Sequence, residues 1–146
     1  MIKLKSLLSE LAIRLNSIKE VESIKKELAI AAQNQYNQWN LDDDGYDFEV
    51  GSGGICHLIA DKMIDVLYKH NIHRCQTVSS NHEQHVYIVG QFREGIFSID
   101  IPPHLYETGG GYTWKKIPDV QFDEDFIDIS CLDRNPRRFN LYIDSN

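Results

Sequence analysis

The feature that most constrains this chain is a change of hydrophobic period near residue 70. Before it, apolar residues recur at threes and fours. Leu4, Leu7, Leu8, Leu11 and Leu15 mark one helical stripe, and Ile18, Val21, Ile24, Leu28 and Ala31 continue it to about Trp39. Ser17 followed by Glu20 has the pattern of a capping box, which predicts a break there and two helices. After "HNIHR" the segments "CQTVS", "HVYIVGQF" and "GIFSIDI" are rich in β-branched and aromatic residues and are separated by the turn-like "SNHEQ" and "REG". Connections this short between successive strands imply an antiparallel meander. Helices first and an antiparallel sheet afterwards define the α+β class.

The 146 residues suit one domain with a real core, read as N-terminal helices over 1–39, a central segment over 40–115 and C-terminal strands over 116–146. "DFIDISCLD" and "FNLYID" supply those last strands, after a long glycine-rich loop, "HLYETGGGYTWKKIPDV". A net charge of −7 with no basic stripe argues against nucleic acid as a partner. No apolar stretch approaches the roughly 20 residues that span a bilayer, so no membrane partner is expected. The start, "MIKLKSLLSELAIRL", lacks a small-residue cleavage site and reads as a helix. Three cysteines without CxxC spacing fit free thiols in a reducing compartment, the cytoplasm.

Between the acidic, glycine-rich "NLDDDGYDFEVGSGG" and the strands lies an amphipathic helix. Ile55, Leu58, Ile59, Met63, Val66 and Leu67 line its apolar stripe, with Ser52 or Gly53 near its N-cap. Cys56 falls on its first turn. There the helix dipole and unpaired amides lower a thiol's pKa and can hold an oxyanion, while Gly53 and Gly54 let a substrate backbone approach. A Cys at such a position is equally compatible with a small core residue.

A nucleophilic Cys needs a base, and the base needs an orienting group. His85 begins one strand and Asp100 lies near the end of the next. A hairpin through "REG" makes them cross-strand neighbours with a small offset in register. An ionised Asp inside "IDI" is costly to bury alone, and His85 is its natural partner. A purely structural Asp–His bond has the same signature.

Cys at a helix start, His at a strand start and Asp on the following strand, in that chain order, resembles the core of the papain-like cysteine peptidase superfamily, in its transglutaminase-like branch. The likeness covers residues 40–115 through "GSGGICHLIA", "HVYIVG" and "SIDIPP". It implies a thiol-dependent hydrolase or acyltransferase acting on amide bonds (peptidase, amidase, deamidase or transglutaminase). In that role Cys56 is nucleophile, His85 acid and base, and Asp100 orienter. The substrate would be a protein, a peptide or a small amide, and no cofactor is implied. Papain itself carries a Gln shortly before its Cys as oxyanion donor. Here that stretch is "FEVGSGG", leaving Gln33, Gln35 and Gln38 as candidates at another spacing.

Two metal readings and one binding reading stand beside this. His73, Cys75, His82 and His85 lie close in sequence but match no common zinc module. Asn40, Asp42 and Asp44 before Gly45 resemble the start of an EF-hand loop, yet Gly51 falls where a bidentate Glu belongs. The alternative to an enzyme is a non-catalytic interaction module of the same fold with that acidic loop braced by calcium. Tyr106, Tyr112 and Trp114 flank the triple glycine, either lining a cleft beside Asp100 or packing the loop onto the sheet.

Overall fold

The structure is a computed structural model and describes residues 15–42, 55–80, 85–108, 115–117 and 119–143. In chain order it has α1 (Ile18–Ser23), α2 (Lys25–Asp42), α3 (Cys56–Lys69), β1 (Cys75–Ser80), β2 (His85–Phe92), β3 (Gly95–Asp100), β4 (Glu107–Thr108), β5 (Lys115–Lys116), β6 (Asp128–Asp133) and α4 (Phe139–Ile143). This is a mixed α and antiparallel β architecture. Four strands form the main sheet in the order β1-β2-β3-β6, and β4 pairs with β5 in a separate two-stranded ribbon.

The β2–β3 hairpin sets the register of the sheet. Phe92 pairs with Gly95 across the two residues Arg93 and Glu94, and Ile88 pairs with Ile99. Gly95 has φ +143°, and a Cβ there would lie 2.2 Å from the Asp133 carbonyl oxygen, so no side chain fits that turn. The turn is tied to the start of α1. Ser17 Oγ donates to Glu94 at 2.5 Å, Ile18 N–H donates to the same carboxylate at 2.9 Å, and Arg93 N–H donates to the Asn16 carbonyl at 3.0 Å. Ser17 is the N-cap of α1, as its side chain and Glu20 lead one to expect.

α3 lies on β1 and β2, and α2 lies on α3. Val21, Leu28, Ala32, Tyr36, Ile59, Met63, Leu67, Ile88 and Ile99 are buried together in the main core. Each large apolar side chain fully removed from water contributes about 1.5–3 kcal/mol, so this layer carries most of the fold. The other sheet face holds a smaller cluster of Val78, Val89, Ile96 and Phe139. Tyr36 and Gln33 tie α2 to later chain. Tyr36 OH donates to the Ile117 carbonyl at 2.5 Å, Gln33 Nε2 to the Val120 carbonyl at 3.3 Å, and Phe122 N–H to Gln33 Oε1 at 2.6 Å.

Four sequence expectations change. "FNLYID" is not a strand; Phe139–Ile143 is α4, entered from Asn135, whose side chain accepts the Arg137 amide, with Pro136 at the first position of the turn. The expected loop "HLYETGGGYTWKK" carries the β4–β5 pair. α2 runs to Asp42, so Asn40 and Asp42 belong to its last turn and not to an open calcium loop. The N-cap of α3 is Ile55 rather than Ser52 or Gly53. The first helical stripe, Leu4–Leu11, lies outside the described residues. None of the described helices is long and apolar enough to cross a membrane.

Candidate active site

α3 starts where its apolar stripe starts, with Ile55 1% exposed as the anchor beneath the first turn. Ile55 gives the helix no side-chain cap. The amides of Leu58 and Ile59 both donate to its carbonyl, which leaves the Cys56 and His57 amides without a partner among the described residues. Cys56 therefore sits half-buried at a helix end beside two amides that have no partner among the described residues.

Continuing the Ile88–Ile99 register places Asp100 across from Tyr87, so His85 is its diagonal neighbour on the same face. The separation is bridged by the side chains. His85 Nε2 lies 2.9 and 2.8 Å from the two Asp100 oxygens. An ionised carboxylate only accepts, so Nε2 carries the proton and donates. The His85 side chain is 8% exposed and that of Asp100 22%. The ring stacks on Tyr87 at 5.9 Å between centroids.

His85 Nδ1 is buried and makes no aligned hydrogen bond among the described residues. The thiol beside the ring is Cys56, close enough to raise the imidazole's basicity. Burial pulls the His85 pKa down. The hydrogen bond to Asp100, and then the interaction with Cys56, outweigh it and push the value up to about 9. The ring is accordingly an imidazolium at neutral pH, held by Asp100 through Nε2 and with the Cys56 thiol beside it.

One site residue was missed by sequence reasoning. Glu107, on β4, is 4% exposed, and its Oε1 accepts the Ile55 amide at 3.1 Å. Burial pushes its carboxyl up to about 7, against the Ile55 amide and the His85 charge, which pull it down. Tyr106 beside it is 1% exposed and packs on Tyr36 and Phe122, and burial raises its phenol. Tyr106 thus packs against α2 and Phe122.

Other candidates separate. Gln33 is spent on Phe122 and Val120, and Gln35 and Gln38 lie beside Lys62, Asp65 and Val66, well down α3 from Cys56. None is an oxyanion donor. The zinc candidates point apart: His73 packs on Tyr68, the Cys75 thiol donates to the Ile72 carbonyl at 3.3 Å, and His85 bonds Asp100. No group of three metal-ligating side chains forms among the described residues. Gly54, Tyr112, Trp114, His82 and Asp44 lie outside them.

Comparison with known proteins adds nothing to this geometry: no family model matches the chain, and neither a curated protein nor a solved structure does.

Proposed function

We propose that this chain is a thiol-dependent hydrolase or acyltransferase of amide bonds with a papain-like core of the transglutaminase-like kind. One observation carries the reading. A buried histidine fixed through Nε2 to a carboxylate, its Nδ1 without a hydrogen bond among the described residues, lies beside a cysteine on the first turn of a helix. The Cys56 thiolate attacks the substrate carbonyl carbon, and the Cys56 and His57 amides receive the developing oxyanion. His85 gives its proton to the leaving amine, and the C–N bond breaks to leave a thioester. Water, or an acceptor amine, then attacks with His85 taking its proton, and the thiol is released. Asp100 holds the ring throughout. The substrate is a protein, a peptide or a small amide. The cytoplasm is the compartment that fits the unpaired thiols Cys56, Cys75 and Cys131.

Mass mapping of iodoacetamide labelling near pH 7 tests this reading. Cys56 labels first. Cys131, which is exposed, follows, and Cys75 is last because burial pushes its thiol up to about 12. Cys56→Ala removes the fast site with little change in melting temperature. Labelling of Cys131 ahead of Cys56 defeats the proposal.

A further inference from the structure

We propose that Glu107 is a positioning residue of this same site. Its carboxylate holds the first turn of α3 through the Ile55 amide and supplies a second negative charge to the His85 imidazolium. This inference rests on the reading of Cys56 and His85 given above, and deepens it.

The geometry is specific. The N-cap amide of a helix is ordinarily satisfied by an acidic side chain three residues on, in the same first turn. Here the acceptor comes from 52 residues away, on a strand that follows the His and Asp strands. A neutral acceptor, such as the side-chain oxygen of a glutamine, would satisfy the amide without bringing an ionisable group to 4% exposure. The carboxylate gains from a nearby cation, and His85 acts on it electrostatically. The Tyr106 phenol, beside it in sequence, is acted on by Glu107 together with the Cys56 thiol of α3 and Asp100 of β3. Among these five groups only His85 becomes positive, so the two carboxylates share one cation.

The consequence is a division of labour. Asp100 directs the ring by a hydrogen bond to Nε2, whereas Glu107 acts on its charge without a hydrogen bond to it. By taking the Ile55 amide, Glu107 also leaves the next two amides, those of Cys56 and His57, as the donors that face a substrate oxygen. Because coupling is reciprocal, His85 and Glu107 move each other's titration midpoints by equal amounts.

The test compares wild type with Glu107→Gln, which keeps an acceptor for Ile55 and removes the charge. The His85 ring titration is followed by NMR, and Cys56 labelling by iodoacetamide is measured from pH 5 to 10. The expected result is a His85 midpoint lowered by about one pH unit, the order of shift that losing a nearby opposite charge produces. The pH dependence of Cys56 labelling shifts with it. A lowered melting temperature with both profiles unmoved overturns the proposal and leaves Glu107 a helix cap. Should Glu107→Gln not fold, the Glu107 carboxyl carbon is titrated in the wild type and in His85→Gln. Its midpoint rises by about the same unit when the histidine is removed, and an unchanged midpoint overturns the coupling. These midpoints do not depend on Cys56 being a nucleophile. Slow labelling of Cys56 in the wild type sinks the function, while unmoved midpoints sink only the role of Glu107.

Discussion

At one end of α3, His70 meets Glu27 at 2.5 Å; at the other, His85 meets Asp100 at 2.8 and 2.9 Å. The pairs are the same chemistry, and the shorter bond belongs to the plainer site. His70 and Glu27 are 36% and 35% exposed, and Lys69 shares the carboxylate at 2.7 Å. Lys69 first, and then His70, hold Glu27 below the ordinary carboxylate range. Lys69 and His70 close the C-terminus of α3, where cations are favoured, Glu27 lies in the first turn of α2, and water screens all three. His85 is buried, its Nδ1 makes no hydrogen bond among the described residues, and a thiol lies beside the ring. Burial and the neighbouring thiol, more than bond length, set His85 apart from His70.

The largest expected difference between the two ends is in the pH dependence of stability. The folded-state value of His85 is raised to about 9 from 6.5. Its contribution is therefore complete below about pH 6.5 and is lost as pH rises through 9. Glu107, raised to about 7 from 4.5, slopes the same way at lower pH: its contribution is full below 4.5 and gone above 7. The unfolding free energy from urea titrations should fall between pH 6 and 10 by an amount on the order of a few kcal/mol. His85→Gln flattens that fall, whereas His70→Gln leaves the slope as it was. Equal slopes in the two variants would erase the distinction.

Next in size is the effect on the thiol. Iodoacetamide labelling of Cys56 at pH 7 slows roughly tenfold in His85→Gln, because the thiolate loses its counter-charge, and less than twofold in His70→Gln. The carboxylates sharpen the contrast further. Asp100→Asn keeps the fold, lowers the His85 midpoint and slows Cys56 labelling by a factor of about three to ten, while Glu27→Gln does neither. An unmoved labelling profile with a lowered melt in Asp100→Asn would make Asp100 a fold residue. The smallest effect belongs to chelation. EDTA should leave the melting temperature within about 1 °C at both ends, since a bound metal would have added stability by mass action.

The three residues of the site were legible because each rests on a local pattern. A 3.6 period gives the helix that starts at Cys56, and a two-residue turn fixes the register that brings His85 to Asp100. Glu107 was not legible, because its partner amide is 52 residues upstream and "YETGGGY" reads as a loop. The available signal was a lone acid between aromatic, small and glycine residues, which says nothing about which amide it meets. "FNLYID" misled for a different reason. Five helical residues are too few to show a period, and Phe, Tyr and Ile favour strands in isolation. Asn135 and Pro136, capping residue and first-turn proline, held the correct answer just upstream.

The bonds from α2 to Ile117, Val120 and Phe122 have a consequence on the ribosome. They join residues 81 to 89 positions apart, so α2 leaves the exit tunnel long before its cover does. At 5–20 residues per second the interval is roughly 4 to 18 s. During it, Phe122, half of the aromatic contact that seals Tyr36, has not yet been made. Cys56, His85 and Asp100 all emerge inside that interval, on a helix and a hairpin that are contiguous in the chain. Translation thus delivers Cys56 and His85 before the segment that closes over α2. A nascent chain paused ahead of residue 117 holds that pair on an incompletely sealed core.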